Sequence, residues 1–300
     1  MRNLPPPSVL GAESDLKSAV KSYTYRKIKK GHDITEEEAK DILHLYAQYD
    51  ESLGSVTRAL QLALPNPGPL SESIHAAYEK TYEKRVLFPL REMLFSGAGQ
   101  CPLCGIRDAI VLDHFLPRSD FKALSIYAKN LIPTCQECNH IKLDYFAEDA
   151  SSHENYVHAY LDHLPNENFI VAKPSIKESS LVVGYEVGEE NSLPELMRKR
   201  ISFQIKKLNL NERYEAEIST LLTGHSISLR VIYEIGGAAS VSRFLVKQAE
   251  VEQSAFHRNH WRPTLLFALS EHQDFIEGGF ANLIHQHPAS ESMYQEILGA

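Results

Sequence analysis

Cys101-Pro-Leu-Cys104 and Cys135-Gln-Glu-Cys138 decide how this chain is read, because they hold all four of its cysteines and repeat one spacing across a gap of 30 residues. A two-residue gap lets both sulfurs of a turn face one ion. Four thiolates at about 2.3 Å close a tetrahedral shell around zinc with no open position, so such a Zn2+ shapes a fold and performs no chemistry. The amino-terminal stretch MRNLPPPSVLGAESD lacks the apolar run of a secretion signal. Paired cysteines then indicate metal before disulfide. Neither pair sits in the βαβ context of a redox Cys-x-x-Cys.

Between the pairs stand Ile110-Val-Leu-Asp113-His114-Phe-Leu-Pro117-Arg118-Ser119 and Asn130-Leu-Ile-Pro133, and Asn139-His140-Ile-Lys142 follows the last cysteine. Over these roughly 42 of 300 residues the chain resembles the HNH, or ββα-metal, nuclease family. The shared pattern is Asp-His-x-x-Pro at a strand end, Asn-Leu at a second strand, and Cys-x-x-Cys-Asn at a helix start. The resemblance implies a DNA endonuclease that hydrolyses phosphodiester bonds with one Mg2+ or Mn2+ per site. It implies that Asp113 and Asn139 are metal ligands, that His114 is the general base, and that Asn130 orients the loop or the imidazole. His140 is the alternative ligand or a phosphate contact. Asn139 is favoured because it directly follows the cysteine, as in zinc-bearing phage junction-resolving endonucleases. Arg118 and Lys142 are candidates for phosphate contact.

The chemistry accounts for these residue types. Phosphodiester hydrolysis needs a water stripped of its proton, a cation beside the leaving oxygen, and groups that hold both in line. A histidine of ordinary pKa, about 6.5, is a neutral base near pH 7. One hard carboxylate oxygen and one amide oxygen suit magnesium or manganese, which keep waters and also bind phosphate. Neighbours in a strand point to opposite faces, so the strand must end or bend near Asp113 and His114, with Pro117 close behind.

Outward from this segment the pattern is mainly helical, which gives an α+β chain: a small zinc-stapled ββα-metal unit at 98–150, a helical amino-terminal region at 1–97 and a mixed, mainly helical region at 151–300. Thr35 followed by Glu36, Glu37 and Glu38 is a capped helix start, with Ile42, Leu43, Leu45, Tyr46 and Tyr49 as its apolar stripe. Further helices are expected over 55–64 and 71–94. Strands are expected over 169–171 and 181–187, and helices from 193 onward.

A formal charge of -8 excludes a surface that coats nucleic acid throughout, since phosphate affinity comes from Lys and Arg. No window reaches the roughly 18 apolar residues of a membrane span, so no membrane partner is expected and the cytoplasm is the expected location. Four features are set aside as non-functional or too short to interpret. His153, His158 and His163 are read as surface histidines. Tyr25-Arg-Lys-Ile-Lys-Lys30 and Arg198-Lys-Arg200 are basic runs that suit either DNA backbone or a solvated helix face, and Trp261 is read as a core anchor.

A single site of this kind nicks one strand, and cutting both requires a dimer or a second visit. The expected settings are a restriction enzyme or a phage-defence nuclease working with an ATPase partner. The run at 201–211 looks like the corresponding stretch of Septu-type defence nucleases. The competing expectation is a catalytically inactive, zinc-stabilised nucleic-acid-binding or adaptor protein.

Overall fold

The computed structural model describes residues 1–57, 60, 68–177, 180–283, 294 and 296. Helices and small antiparallel sheets make it an α+β chain, and contacts within it define two compact units. One comprises residues 3–164 with 195–204, and the other residues 1–2, 165–194 and 205–300. Sequence reading placed boundaries at 97 and 150, and both positions fall inside the first unit.

The first unit opens with α1 (Ala12–Val20), a hairpin of β1 (Tyr23–Tyr25) and β2 (Ile28–Lys30), and α2 (Glu36–Glu51). Helix α2 starts where expected: the Thr35 side chain accepts from the Glu38 backbone while the Glu38 carboxylate reaches back to the Thr35 amide at 2.8 Å. This satisfies two donors that a helix start otherwise leaves unpaired. Its Ile42, Leu45, Tyr46 and Tyr49 stripe is buried, as an amphipathic period requires. Most of the helix expected over 55–64 lies outside the described residues.

The helix expected over 71–94 is broken. It comprises α3 (Pro69–Ala77), a 3-10 turn (Tyr78–Thr81) and α4 (Phe88–Ser96), separated by an exposed stretch with Lys84 in the left-handed region. Pro89 explains the restart, because a proline is tolerated in a first helical turn and not in a helix interior.

After α4, β3 (Val111–His114) pairs antiparallel with β4 (Leu131–Thr134), and α5 (Gln136–Lys142) follows at once. Strand β3 ends on His114, where the adjacent Asp113 and His114 required the strand to end or bend. The loop between the strands is braced by α2. Tyr46 stacks on Tyr127 at 4.1 Å between ring centroids, and Asp50 accepts from the Tyr127 hydroxyl at 2.8 Å.

In the second unit, β5 (Ile170–Lys177) and β6 (Ser180–Val187) form the expected hairpin. Among the described residues it packs with the long helix α7 (Leu210–Ala255) and with α8 (Trp261–Glu271). Helix α6 (Glu195–Lys207) precedes them in the chain, and α9 (Phe280–Leu283) follows. The separate helices expected between 208 and 251 form one run, interrupted only at Gly237, whose φ of 63° a glycine adopts without steric cost. Trp261 is buried against Tyr214 at 5.7 Å, a core anchor. No described helix is long and apolar enough to cross a membrane.

Candidate metal centre and histidine site

The four cysteine sulfurs are buried and lie within 4.8 Å of one another. Cys104 Sγ and Cys135 Sγ are 3.8 Å apart. A tetrahedron with metal–sulfur bonds of about 2.3 Å has edges of about 3.8 Å, the Cys104–Cys135 separation, so the cluster could hold a zinc ion. Each knuckle is built by its backbone. In the first, Gly105 sits at φ 66° and donates to the Cys101 carbonyl at 2.9 Å, while the Ile106 amide points at Cys104 Sγ. In the second, Cys135 is the N-cap of α5 and its sulfur accepts from the Cys138 amide at 3.4 Å. Burial pushes the Cys101 thiol well above its ordinary pKa, whereas a bound dication would favour the thiolate. Gln204, almost fully buried, adds a support not foreseen: its amide donates to the Leu103 carbonyl inside the first knuckle at 3.2 Å and accepts from the Val157 amide at 3.0 Å.

Helix α5 carries the zinc-knuckle geometry to the rest of the site. Lys142 on its last turn is 2% exposed, with its ammonium 3.2 Å from Asp113 Oδ2 and 2.7 Å from the His114 carbonyl. The expected phosphate contact at Lys142 is therefore corrected, since its charge is taken up inside the protein by a carboxylate 29 residues away in sequence. Burial raises the Asp113 carboxyl to a pKa of about 6 against the pull of Lys142. Asn139 lies three residues before Lys142 and thus on the same helix face. It is half-buried, and its side chain has no hydrogen-bond partner among the described residues. His140 is exposed.

His114 is held from two sides. Its Nε2 lies 2.9 Å from the Ser125 carbonyl, an acceptor only, so the proton sits on Nε2 and Nδ1 keeps its lone pair. The Tyr78 ring packs 4.7 Å from the imidazole, and the Arg118 guanidinium lies over the Tyr78 ring at 4.7 Å from its centroid. Burial, with Arg118 and Lys142 adding to it, depresses the His114 pKa to about 3 and keeps the ring neutral.

Asn130 holds the loop and does not touch the imidazole. Its Oδ1 accepts from the Leu116 amide at 2.8 Å, and its Nδ2 donates to the Leu116 and Leu124 carbonyls at 3.0 and 3.2 Å. The Leu124 carbonyl adjoins Ser125, whose own carbonyl orients His114, so Asn130 reaches the imidazole through one peptide. Tyr49 bridges Asn130 Oδ1 and His158 Nε2, and His158 Nδ1 accepts from the Tyr160 and Leu161 amides. His158 is thus fully buried, correcting its reading as a surface residue, while His153 and His163 are exposed. Arg200 is likewise no DNA grip: it is buried and donates to the Ala150 and Ser152 carbonyls. Asn130→Ala leaves the Leu116 N–H and C=O unpaired, while the Leu124 carbonyl keeps the Tyr127 amide. We expect it to destabilise the first unit by about 3 kcal/mol, read as a lower urea midpoint, because each orphaned buried group costs roughly 1–3 kcal/mol.

The class defined here is an α+β protein whose buried four-cysteine cluster could hold a structural zinc ion, beside an Asp-His pair served by a short helix. No protein-family profile matches the chain, and no solved structure matches it. It is similar to protein ea31 of Escherichia phage lambda, with 25% identity over 205 residues that cover 62% of this chain and 67% of that protein.

Proposed function

We propose that the chain is a metal-dependent DNA endonuclease of the HNH type. One observation carries this reading: His114 ends a strand with Nε2 tied to a carbonyl and a neutral Nδ1 left to take a proton. It stands next to Asp113 and beside a helix that presents Asn139 and is fixed by the cysteine cluster.

Asp113 and Asn139 would hold the catalytic ion, and a hard dication with waters of its own fits one carboxylate and one amide oxygen. Bound there, it supplies positive charge beside the phosphate and the departing oxygen. His114 Nδ1 takes the proton of the attacking water, and Ser125 fixes the ring so that no rotation is needed first. Arg118, over Tyr78 next to His114 and 3.5 Å from the Glu79 carboxylate, would meet a phosphate oxygen. Lys142 keeps Asp113 from being an uncompensated buried charge.

Restriction, or phage defence with an ATPase partner, is the proposed setting, and the likeness of the run at 201–211 bears on the second alone. Gln204 of that run already has a structural duty in the first knuckle, which offers a reason for such residues that involves no partner.

The test is supercoiled plasmid incubated with the protein and magnesium or manganese. Conversion to open circles is the expected product, and no cutting under either ion would leave the zinc-stabilised binding module instead. Asp113 sets the acid limit. Its pKa of about 6 means that it takes a proton as pH falls through that value, and a protonated carboxyl is a poor ligand. Manganese affinity, followed by electron paramagnetic resonance, should fall about tenfold per pH unit below roughly pH 6. An affinity flat from about pH 7 to about pH 5 would exclude Asp113 as the ligand.

A further inference from the structure

The basic run at residues 25–30 is not a helix face. It forms the β1–β2 hairpin, exposed on both strands from Tyr23 through Lys30. Its two-residue turn is Arg26-Lys27, with φ of 48° and 65°. A turn with both central residues at positive φ favours Asn-Gly, and long side chains there carry a conformational cost. The cost falls at an exposed turn that carries two adjacent cationic side chains. Arg26 stacks over Tyr25 at 5.3 Å, and among the described residues Arg26, Lys27 and Lys30 have no carboxylate partner; Lys29 pairs with Asp33 at 2.8 Å.

A two-stranded hairpin with no buried face is marginal by itself. Its base, however, is tied down. The His32 amide donates to the Val20 carbonyl at 2.8 Å, Ser22 Oγ donates to Asp33 at 2.5 Å, and Lys80 donates to the Ala19 carbonyl while lying 5.4 Å over the Tyr23 ring. Lys80 belongs to the 3-10 turn that also carries Tyr78, the residue packed against His114. One turn of backbone therefore joins the hairpin base to the candidate base of the reaction. Directly after it come the exposed Tyr82, Glu83, Lys84 and Arg85, with Lys84 3.7 Å from the Glu83 carboxylate.

We propose that the β1–β2 hairpin is a finger that holds duplex DNA, with Arg26, Lys27 and Lys30 on the phosphates and Tyr23 and Tyr25 against the sugars. In a chain of net charge -8, attraction for a polyanion has to be local, and this uncovered cationic and aromatic projection supplies it. The choice of duplex DNA as occupant rests on the nuclease reading.

The test is the full chain with a fluorescein-labelled duplex in calcium, without magnesium or manganese, read by anisotropy across a salt series. The variant Arg26→Asn with Lys27→Gly suits the turn geometry, so it keeps the fold while removing two charges. Its dissociation constant should rise roughly tenfold or more near 0.1 M salt, and the slope of log affinity on log salt should shrink by about 1.8, at about 0.9 per phosphate contact. Binding and salt slope equal to the wild type, or a wild type that binds no duplex, would overturn the finger. Plasmid cutting with unchanged duplex binding leaves the nuclease standing and removes the finger. Weakened binding in the variant, with no cutting by the wild type in manganese, keeps the finger and removes the nuclease.

Discussion

His114→Ala is expected to lower the rate of plasmid nicking by about 10² to 10⁴, the usual loss when a positioned general base is removed. At about 1.4 kcal/mol per decade, this corresponds to roughly 3–5 kcal/mol of transition-state stabilisation. The fold should survive. The imidazole is half-buried and makes one hydrogen bond, to the Ser125 carbonyl, so its loss costs stability on the order of 1 kcal/mol. The cysteine cluster belongs to other segments of the chain, and zinc content by mass spectrometry should stay as in the wild type. A variant that cuts at the wild-type rate would remove His114 from the mechanism.

The size of the effect depends on how basic the ring becomes with substrate present. Burial and two neighbouring cations hold its pKa near 3 in the free protein, which makes it a weak acceptor. A phosphodiester brought against Arg118 offsets that cation and places negative charge beside the imidazole. Both changes favour the protonated ring, so the base strengthens where and when the substrate binds. Arg118→Ala removes one of those cations, so it should weaken DNA binding while leaving the imidazole more basic, and single-turnover rates at saturating DNA separate the two effects.

How far the sequence could be read follows the range of the interactions involved. The cysteine knuckles, the Thr35-Glu38 box and the strands at 170–187 depend on neighbours within a few residues, and local spacing exposes them. The strand end at His114 was legible because adjacent Asp and His cannot both face one side. The Arg26-Lys27 turn was not legible, since it lacks the Asn-Gly signal and its basic residues invite a helical reading. Lys142, Arg200 and His158 look like surface residues in the sequence. Each is buried by a partner far along the chain: Asp113, the carbonyls near 150, and Tyr49. Ser125 offers no signal at all, because it serves through a backbone carbonyl that any residue has.

Cys135→Ser should abolish stoichiometric zinc and unfold the segment that carries the site. The wild type is expected to hold one zinc per chain, since its four sulfurs lie within 4.8 Å of one another. Cys135 has two duties, as a ligand and as the N-cap of α5. A serine hydroxyl can still cap the helix, so the substitution isolates the loss of metal. Helix α5 spans only seven residues, too short to persist in water without tertiary ties. Structural zinc sites contribute about 10–16 kcal/mol to folding in isolated zinc-finger peptides. In this larger unit the remaining packing offsets part of that, and a loss above about 4 kcal/mol remains expected, a size reserved for cavities, lost metals and broken buried networks. Released from the cluster, α5 would carry Asn139 away and take Lys142 from Asp113, leaving a buried carboxylate without its partner. Nicking should then fail together with zinc binding and with a lowered melting temperature, whereas His114→Ala fails in nicking alone. A wild-type protein free of zinc, or a Cys135→Ser variant that melts with the wild type, would show that the four thiols are core residues without a metal.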